Sequence, residues 1–195
     1  MMSRSPRVVE PNGIYHVSPR GNDGRVIFAT EEDRRHHVDL LTNVVRRYRW
    51  SVLGYCRMHT HYHLVVQVPE LGLSEGMQQL QCRYSRYWNR KHGRTGHLFR
   101  QHFDDRPVET DSHLWATLRY VDLNPIVIRR VFRPEQWRWG SYRAHVCLEH
   151  PPAYLNLGSF HRLFGLTPAH ACRVYERFVR DGLALVSDVA VKRPE

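Results

Sequence analysis

Strand-like and helix-like periods alternate along the chain in one order, β-α-β-β-α-β, and that order leaves few ways to fold. Gly13 to Ser18 reads as a short strand, and Gly21-Asn22-Asp23-Gly24 is a dense turn signal. Thr30 stands before Glu31, Glu32 and Asp33 as an N-cap with acids in the first turn. Val38, Leu41, Val44 and Val45 then recur at helical spacing, which predicts a helix to about Arg49. Trp50 to Met58 and Leu64 to Val68 are strand-like runs, with His59-Thr60-His61-Tyr62-His63 opening the second of them. Ser74 is expected to cap a second helix to about Lys91, and Phe103 to Val108 gives a further strand. Thr110 and Asp111 cap a third helix, which Pro125 is expected to end, leaving Asn124 at its terminus. The fold class predicted is α+β: a ferredoxin-like antiparallel sheet with helices on one face, an added helix after the last strand, and a C-terminal helical extension.

The domain expected over residues 1–145 is followed by the extension over 146–195. Helical patterns there run from Ser159 to Phe164 and Thr167 to Val179, with a weakly ordered tail after about Ser187. At 195 residues with 42% apolar side chains the chain can bury a core. Its 29 Lys and Arg against 19 Asp and Glu leave a net charge of +10, which points to polyanionic partners. Cys56, Cys82, Cys147 and Cys172 form no C-x-x-C pair, so separate reduced thiols are expected rather than a zinc knuckle or a disulfide framework. No apolar run is long enough to cross a bilayer, and Met1 to Arg7 leads into no hydrophobic signal region. The expectation is a soluble, cytoplasmic protein with no membrane partner.

Two groups of residues could carry chemistry. In an extended strand, residues two apart share a face with Cα atoms about 6.5 Å apart, so His61 and His63 can present two imidazoles to one metal. A solvated strand edge carries the same pattern. His59 lies in the same register and invites a three-imidazole zinc site with water as fourth ligand. Tyr120 and Asn124 stand four apart, on one face of the third helix. A half-buried aromatic and a helix-ending Asn before Pro would look the same.

The stretch Met58-His59-Thr60-His61-Tyr62-His63-Leu64-Val65-Val66 resembles the HUH motif of the single-tyrosine transposases, and Tyr120-Val121-Asp122-Leu123-Asn124-Pro125 resembles their tyrosine motif. More specifically, the chain is similar to the REP-associated tyrosine transposases. Further matches are Gly13 to Val17, Tyr87-Trp88-Asn89-Arg90-Lys91, Gly96-His97-Leu98-Phe99 and Trp137 to Arg143, so the likeness covers about residues 12 to 145. The chain departs from the family at His59 and Thr60, where Pro and Asn or Asp are usual.

The resemblance implies that His61, His63 and Asn124 coordinate one Mg²⁺ or Mn²⁺ and that Tyr120 attacks phosphorus. The products are a 5′-phosphotyrosyl DNA and a free 3′-hydroxyl. A phenol ionises near pH 10, so Tyr120 needs a cation or base beside it, and the metal and Arg119 are candidates. Arg83, Arg86, Arg90, Lys91, Arg94 and Arg100, interleaved with Tyr84, Tyr87, Trp88 and Phe99, are the expected grip on single-stranded DNA with hairpin elements. A catalytically silent hairpin-binding protein and a zinc hydrolase remain as alternatives.

Overall fold

The computed structural model describes residues 10–70, 72–100, 103–163 and 167–191, with no side chains described for 163 and 184–191. Met1 to Arg7, Phe164 and the last four residues of the expected tail lie outside them. Four strands, β1 (Gly13–Ser18), β2 (Ser51–Arg57), β3 (Tyr62–Val68) and β4 (Asp104–Val108), form one sheet in the order β2-β3-β1-β4. Every pairing is antiparallel. Helices α1 (Glu31–Tyr48) and α2 (Leu73–Lys91) follow β1 and β3, and α3 (Asp111–Val127) follows β4. The short α4 (Tyr142–His145), then α5 (Leu157–Leu163) and α6 (Pro168–Val191), complete the chain.

Side-chain alternation divides each strand between two cores. Tyr15, Val17, Tyr62, Leu64, Val66 and Val68 pack with Leu41 and Val44 of α1 and Met77, Leu80 and Tyr84 of α2. On the other side, Val65 and Val108 pack with Leu114, Leu118 and Val121 of α3, and Phe160, Tyr175 and Val179 of α5 and α6 close the layer. The expected arrangement of helices on one face therefore holds for α1 and α2 only; the added helix and the extension cover the second face. A bulge between Val52 and Gly54 makes Leu53 an extra residue in β2. Gly54 lies under α3, where a Cβ would meet Leu118.

Several boundaries differ from expectation. Helix α2 starts at Leu73 with Gly72 (φ 130°) as N-cap, so Ser74 falls inside it. Pro125 does not end α3, which continues to Val127. The proline lies in the last turn, where the missing N–H removes one bond, and the terminal carbonyls of Asn124, Pro125 and Ile126 accept from Ile128, Arg130 and Arg129. Helix α6 runs past Ser187 to Val191. Cys147 and Cys172, expected as separate thiols, form a disulfide with Cα atoms 6.2 Å apart. Their 25-residue separation carries no motif, and they meet because the start of α6 comes back against the segment after α4. Cys56 and Cys82 are free. No helix of the described residues is long and apolar enough to cross a membrane.

Asp33 joins the two helices of the first layer. Thr30 accepts from the Asp33 backbone while the Asp33 carboxylate accepts from the Thr30 and Ala29 backbones, a capping box. The fully buried carboxylate also takes Lys91 Nζ at 2.9 Å and His92 Nε2 at 3.2 Å from the end of α2. Burial alone would raise its pKa, but the bonds from Lys91, Thr30 and His92 outweigh it and hold the group at about 2.

Two predictions follow from this packing. Because the folded pKa lies below the unfolded value near 3.8, the stabilisation is complete above about pH 4 and lost as pH falls through about 2. Asp33→Asn is expected to cost about 2 kcal/mol at neutral pH, and denaturation series should show the gap to the parent closing between about pH 4 and 2. A gap of constant size down to pH 2 would exclude this account. At Gly76 of α2, an added Cβ would collide with the Trp50 ring. Gly76→Ala should therefore lower stability by about 1–3 kcal/mol in thermal unfolding, although alanine favours helix by about 1 kcal/mol.

Candidate active site

The β2–β3 hairpin turns over His59 and Thr60, closed by a bond from Met58 N–H to the His61 carbonyl at 2.9 Å. Backbone N–H groups of Gly21, Ile27 and Phe28 hold the tip by donating to the Thr60 and His59 carbonyls. Beyond the tip, Tyr62 and Leu64 enter the α1–α2 core, which turns His63 to the α3 face. His61 precedes the strand, bridged to Arg20, and its ring stands 5.0 Å from that of His63 at 89°. Thr60 Oγ1 lies 3.2 Å from His61 Nδ1, so the residue that departs from the family pattern orients the first motif histidine.

Strand β1 supplies a third imidazole. His16 pairs with Val65, which makes His63 its diagonal neighbour on the same face, and His16 Nε2 lies 2.9 Å from His63 Nδ1. Burial, then the charges of Arg106 and His113, push the His16 pKa down to about 4, so its ring is neutral at physiological pH. A neutral His16 can accept at Nε2 from a proton on His63 Nδ1, leaving the lone pair of His63 on Nε2. Burial, with His16, His61 and Arg20 nearby, lowers the His63 pKa, and burial and Arg20 lower that of His61, opposed in part by the neighbouring Asn124 side chain. All three rings are thus in the form that ligates metals.

Helix α3 closes the site. Tyr120, 47% exposed, places its ring 5.5 Å from His63 and 5.9 Å from His16, edge-on to both. Asn124, one turn on, is buried beside His61. His63 Nε2 and Asn124 Oδ1 are buried without a hydrogen-bond partner. Two orphan lone-pair donors would cost about 1–3 kcal/mol each unless a ligand satisfies them, and a divalent cation between them and His61 fits that need. Tyr120, His16 and His63 line a cleft of about 320 Å³ together with Arg20, Arg106 and His113.

The structure thus brings His61, His63, Tyr120 and Asn124 together, and leaves other candidates elsewhere. His59 is drawn aside in the hairpin turn, its Nδ1 3.2 Å from Arg34 Nη2. Among the described residues no group of three or more His, Cys, Asp or Glu is disposed to hold a metal, so the three-imidazole zinc site is not assembled. Arg119 points away from Tyr120, its guanidinium 4.2 Å from the Phe178 ring of α6. The arginines that share the cleft with Tyr120 are Arg20 and Arg106. Sequence reading missed the roles of His16 and Arg20; only His16 had a signal, its place in the strand-like Gly13 to Val17 match.

Of the expected DNA-binding residues, Arg83, Arg86, Arg90, Arg94 and Arg100 are exposed. Arg86 and Arg100 line a groove of about 590 Å³ between α2 and the segment after it, with Gln78, Asn89 and Phe99. Lys91 is engaged differently, its ammonium 2.8 Å from Glu32 and 2.9 Å from Asp33.

The fold is similar to that of a REP-associated tyrosine transposase bound to a REP hairpin, with a TM-score of 0.63 at 15% identity over 78% of this chain and 90% of that one. Weaker likenesses are to a candidate transposase from Deinococcus radiodurans R1 (TM-score 0.41, 12% identity, 59% of this chain and 92% of that one) and to tRNA(His) guanylyltransferase from Saccharomyces cerevisiae (0.43, 13%, 88% and 79%). No curated protein matches the sequence. The family model described as "Transposase IS200 like" matches residues 11–124, which takes in both histidines, the tyrosine and the amide. The chain belongs to the IS200-like transposase family.

Proposed function

We propose that the protein cleaves and rejoins hairpin-containing single-stranded DNA through a 5′-phosphotyrosine on Tyr120. The observation that carries this reading is the meeting of an exposed phenol with two buried, unpartnered ligand atoms, His63 Nε2 and Asn124 Oδ1. A similar fold has been seen with a REP hairpin bound, and the net charge of +10 suits such a ligand.

His61, His63 and Asn124 would hold one Mg²⁺ or Mn²⁺. Such an ion would polarise the scissile phosphate and offset its developing charge. The mixed nitrogen and oxygen donors suit Mn²⁺ readily and Mg²⁺ by abundance. His16 Nε2 accepts a hydrogen bond from His63 Nδ1–H and fixes that ring. Arg20 and Arg106 draw the phosphate into the cleft. The Tyr120 oxygen attacks phosphorus, its proton passing to solvent. The P–O3′ bond breaks, and the departing oxygen takes up a proton as the free 3′-hydroxyl. The phosphotyrosyl bond keeps the phosphodiester energy, so a second 3′-hydroxyl can reverse the step without ATP.

Arg83, Arg86, Arg90, Arg94 and Arg100 would follow the DNA backbone. Residues 1–145 carry the chemistry in this reading and 146–195 brace it. In this reading the protein would act in the cytoplasm, where the bond between Cys147 and Cys172 would face a reducing pool.

Tyr120→Phe should abolish cleavage and the covalent protein–DNA adduct while hairpin affinity stays within about twofold, as a gel assay with labelled oligonucleotide can show. Cleavage that survives in this variant would overturn the nucleophile, and an inactive parent with intact affinity would leave a hairpin-binding protein. EDTA should stop the reaction and Mn²⁺ or Mg²⁺ restore it. His61→Ala or His63→Ala should remove activity, whereas His59→Ala should not.

The basic face makes a separate prediction. If about five phosphates are neutralised, log affinity for single strands falls against log salt with a slope of about −3.5. Reversing Arg86 and Arg100 together should make that slope shallower by about 1.4 in fluorescence anisotropy. An unchanged slope would place the DNA on another surface.

A further inference from the structure

Helix α3 carries one buried acid that the chemistry above does not use. Asp122 is 3% exposed and lies between Tyr120 and Asn124 in sequence, about 200° around the helix from each. Its carboxylate is a hub for three other side chains. Tyr175 of α6 donates its hydroxyl to Oδ2 at 2.7 Å, and His145 of α4 stands with Nδ1 3.2 Å from the same oxygen. Ser141 donates to Oδ1 at 3.0 Å while accepting from the Tyr55 backbone N–H at 3.0 Å. The other nitrogen of His145 lies 2.8 Å from the carbonyl of Leu53, the extra residue of the β2 bulge. Phe160 stacks on the His145 ring at 4.2 Å and seals the group.

We infer that Asp122 is a positioning residue that sets the roll of α3 about its axis, and that Tyr175 makes α6 part of the site's support. The inference rests on the reading of Tyr120 and Asn124 given above. Tyr120 and Asn124 face the histidines from one side of α3, and the hub grips the opposite side. At about 6 Å from the axis, the rim of a helix with its side chains, a roll of about 10° moves an atom by about 1 Å. A displacement of that size can cost about 10²-fold in rate. The apolar contacts of Leu118 and Val121 resist such a roll weakly, since aliphatic surfaces slide. Directed bonds to a carboxylate resist it well, because each fixes distance and angle. The same pin governs how close Asn124 Oδ1 comes to His61 and His63.

Tyr175→Phe tests this by removing one oxygen from the hub and leaving the ring. Mn²⁺ affinity by electron paramagnetic resonance, the single-turnover rate of adduct formation, hairpin affinity and Tm are measured together. We expect Mn²⁺ affinity and the rate to fall about 10- to 100-fold, with hairpin affinity within about twofold of the parent's. Gly76→Ala, which loosens the opposite layer, is the control for a merely structural effect and should leave Mn²⁺ affinity and the rate at the parent's level. Parental Mn²⁺ affinity and rate in Tyr175→Phe would overturn the inference, as would equal losses in Gly76→Ala. An uncleaving parent whose Mn²⁺ affinity still drops in Tyr175→Phe would keep the positioning role and overturn the strand-transfer reading. A parent that neither cleaves nor binds Mn²⁺ overturns both.

Discussion

Strands β2 and β3 are buried on both faces of the sheet, and the behaviour of the site depends on that burial. An antiparallel sheet commonly leaves one face to water. Here α1 and α2 cover one side while α3, α5 and α6 cover the other, so His16 and His63, which point toward α3, lose most of their hydration. Desolvation disfavours the imidazolium and keeps these rings neutral. The second layer thus both supplies the tyrosine and tunes the histidines it faces. A solvated edge carrying the same H-x-H pair would do neither.

What could be read from the sequence follows the range of the forces involved. Helix α1 was legible because its signals are local: Thr30 is the expected N-cap with acids after it, and the apolar period beyond them holds to Tyr48. The succession of strands and helices along the chain followed from the alternation of periods. Tyr120 and Asn124 were legible as a pair because a helix puts residues four apart on one face.

Long-range placement was not legible in the same way. His16 meets His63 through the β1–β3 register, and Arg106 lies opposite His16 through the β1–β4 register, and neither pairing is written in either strand alone. Lys91 looked like a free cation until α1 brought Asp33 and Glu32 to it. His59 fitted the strand alternation, but a two-residue turn took it out of the ladder. Pro125 misled because the rule for helix interiors weakens in a last turn whose carbonyls find other donors. The Cys147–Cys172 pair has no spacing to announce it.

The bulge at Leu53 bears on how chains of this shape can change in length. A regular antiparallel ladder uses strand carbonyls in pairs, whereas a bulge leaves one residue over, and here its carbonyl receives His145. Deleting Leu53 would join Val52 to Gly54, whose partners Val66 and Val65 are already adjacent, so the sheet would close without a register slip. The hub would lose the carbonyl that His145 meets on the sheet. Descendants with one residue fewer in this strand would keep the fold and drift in the seating of α3. Gain and loss of a single residue is therefore a route by which lineages could part in activity while their architecture stays the same.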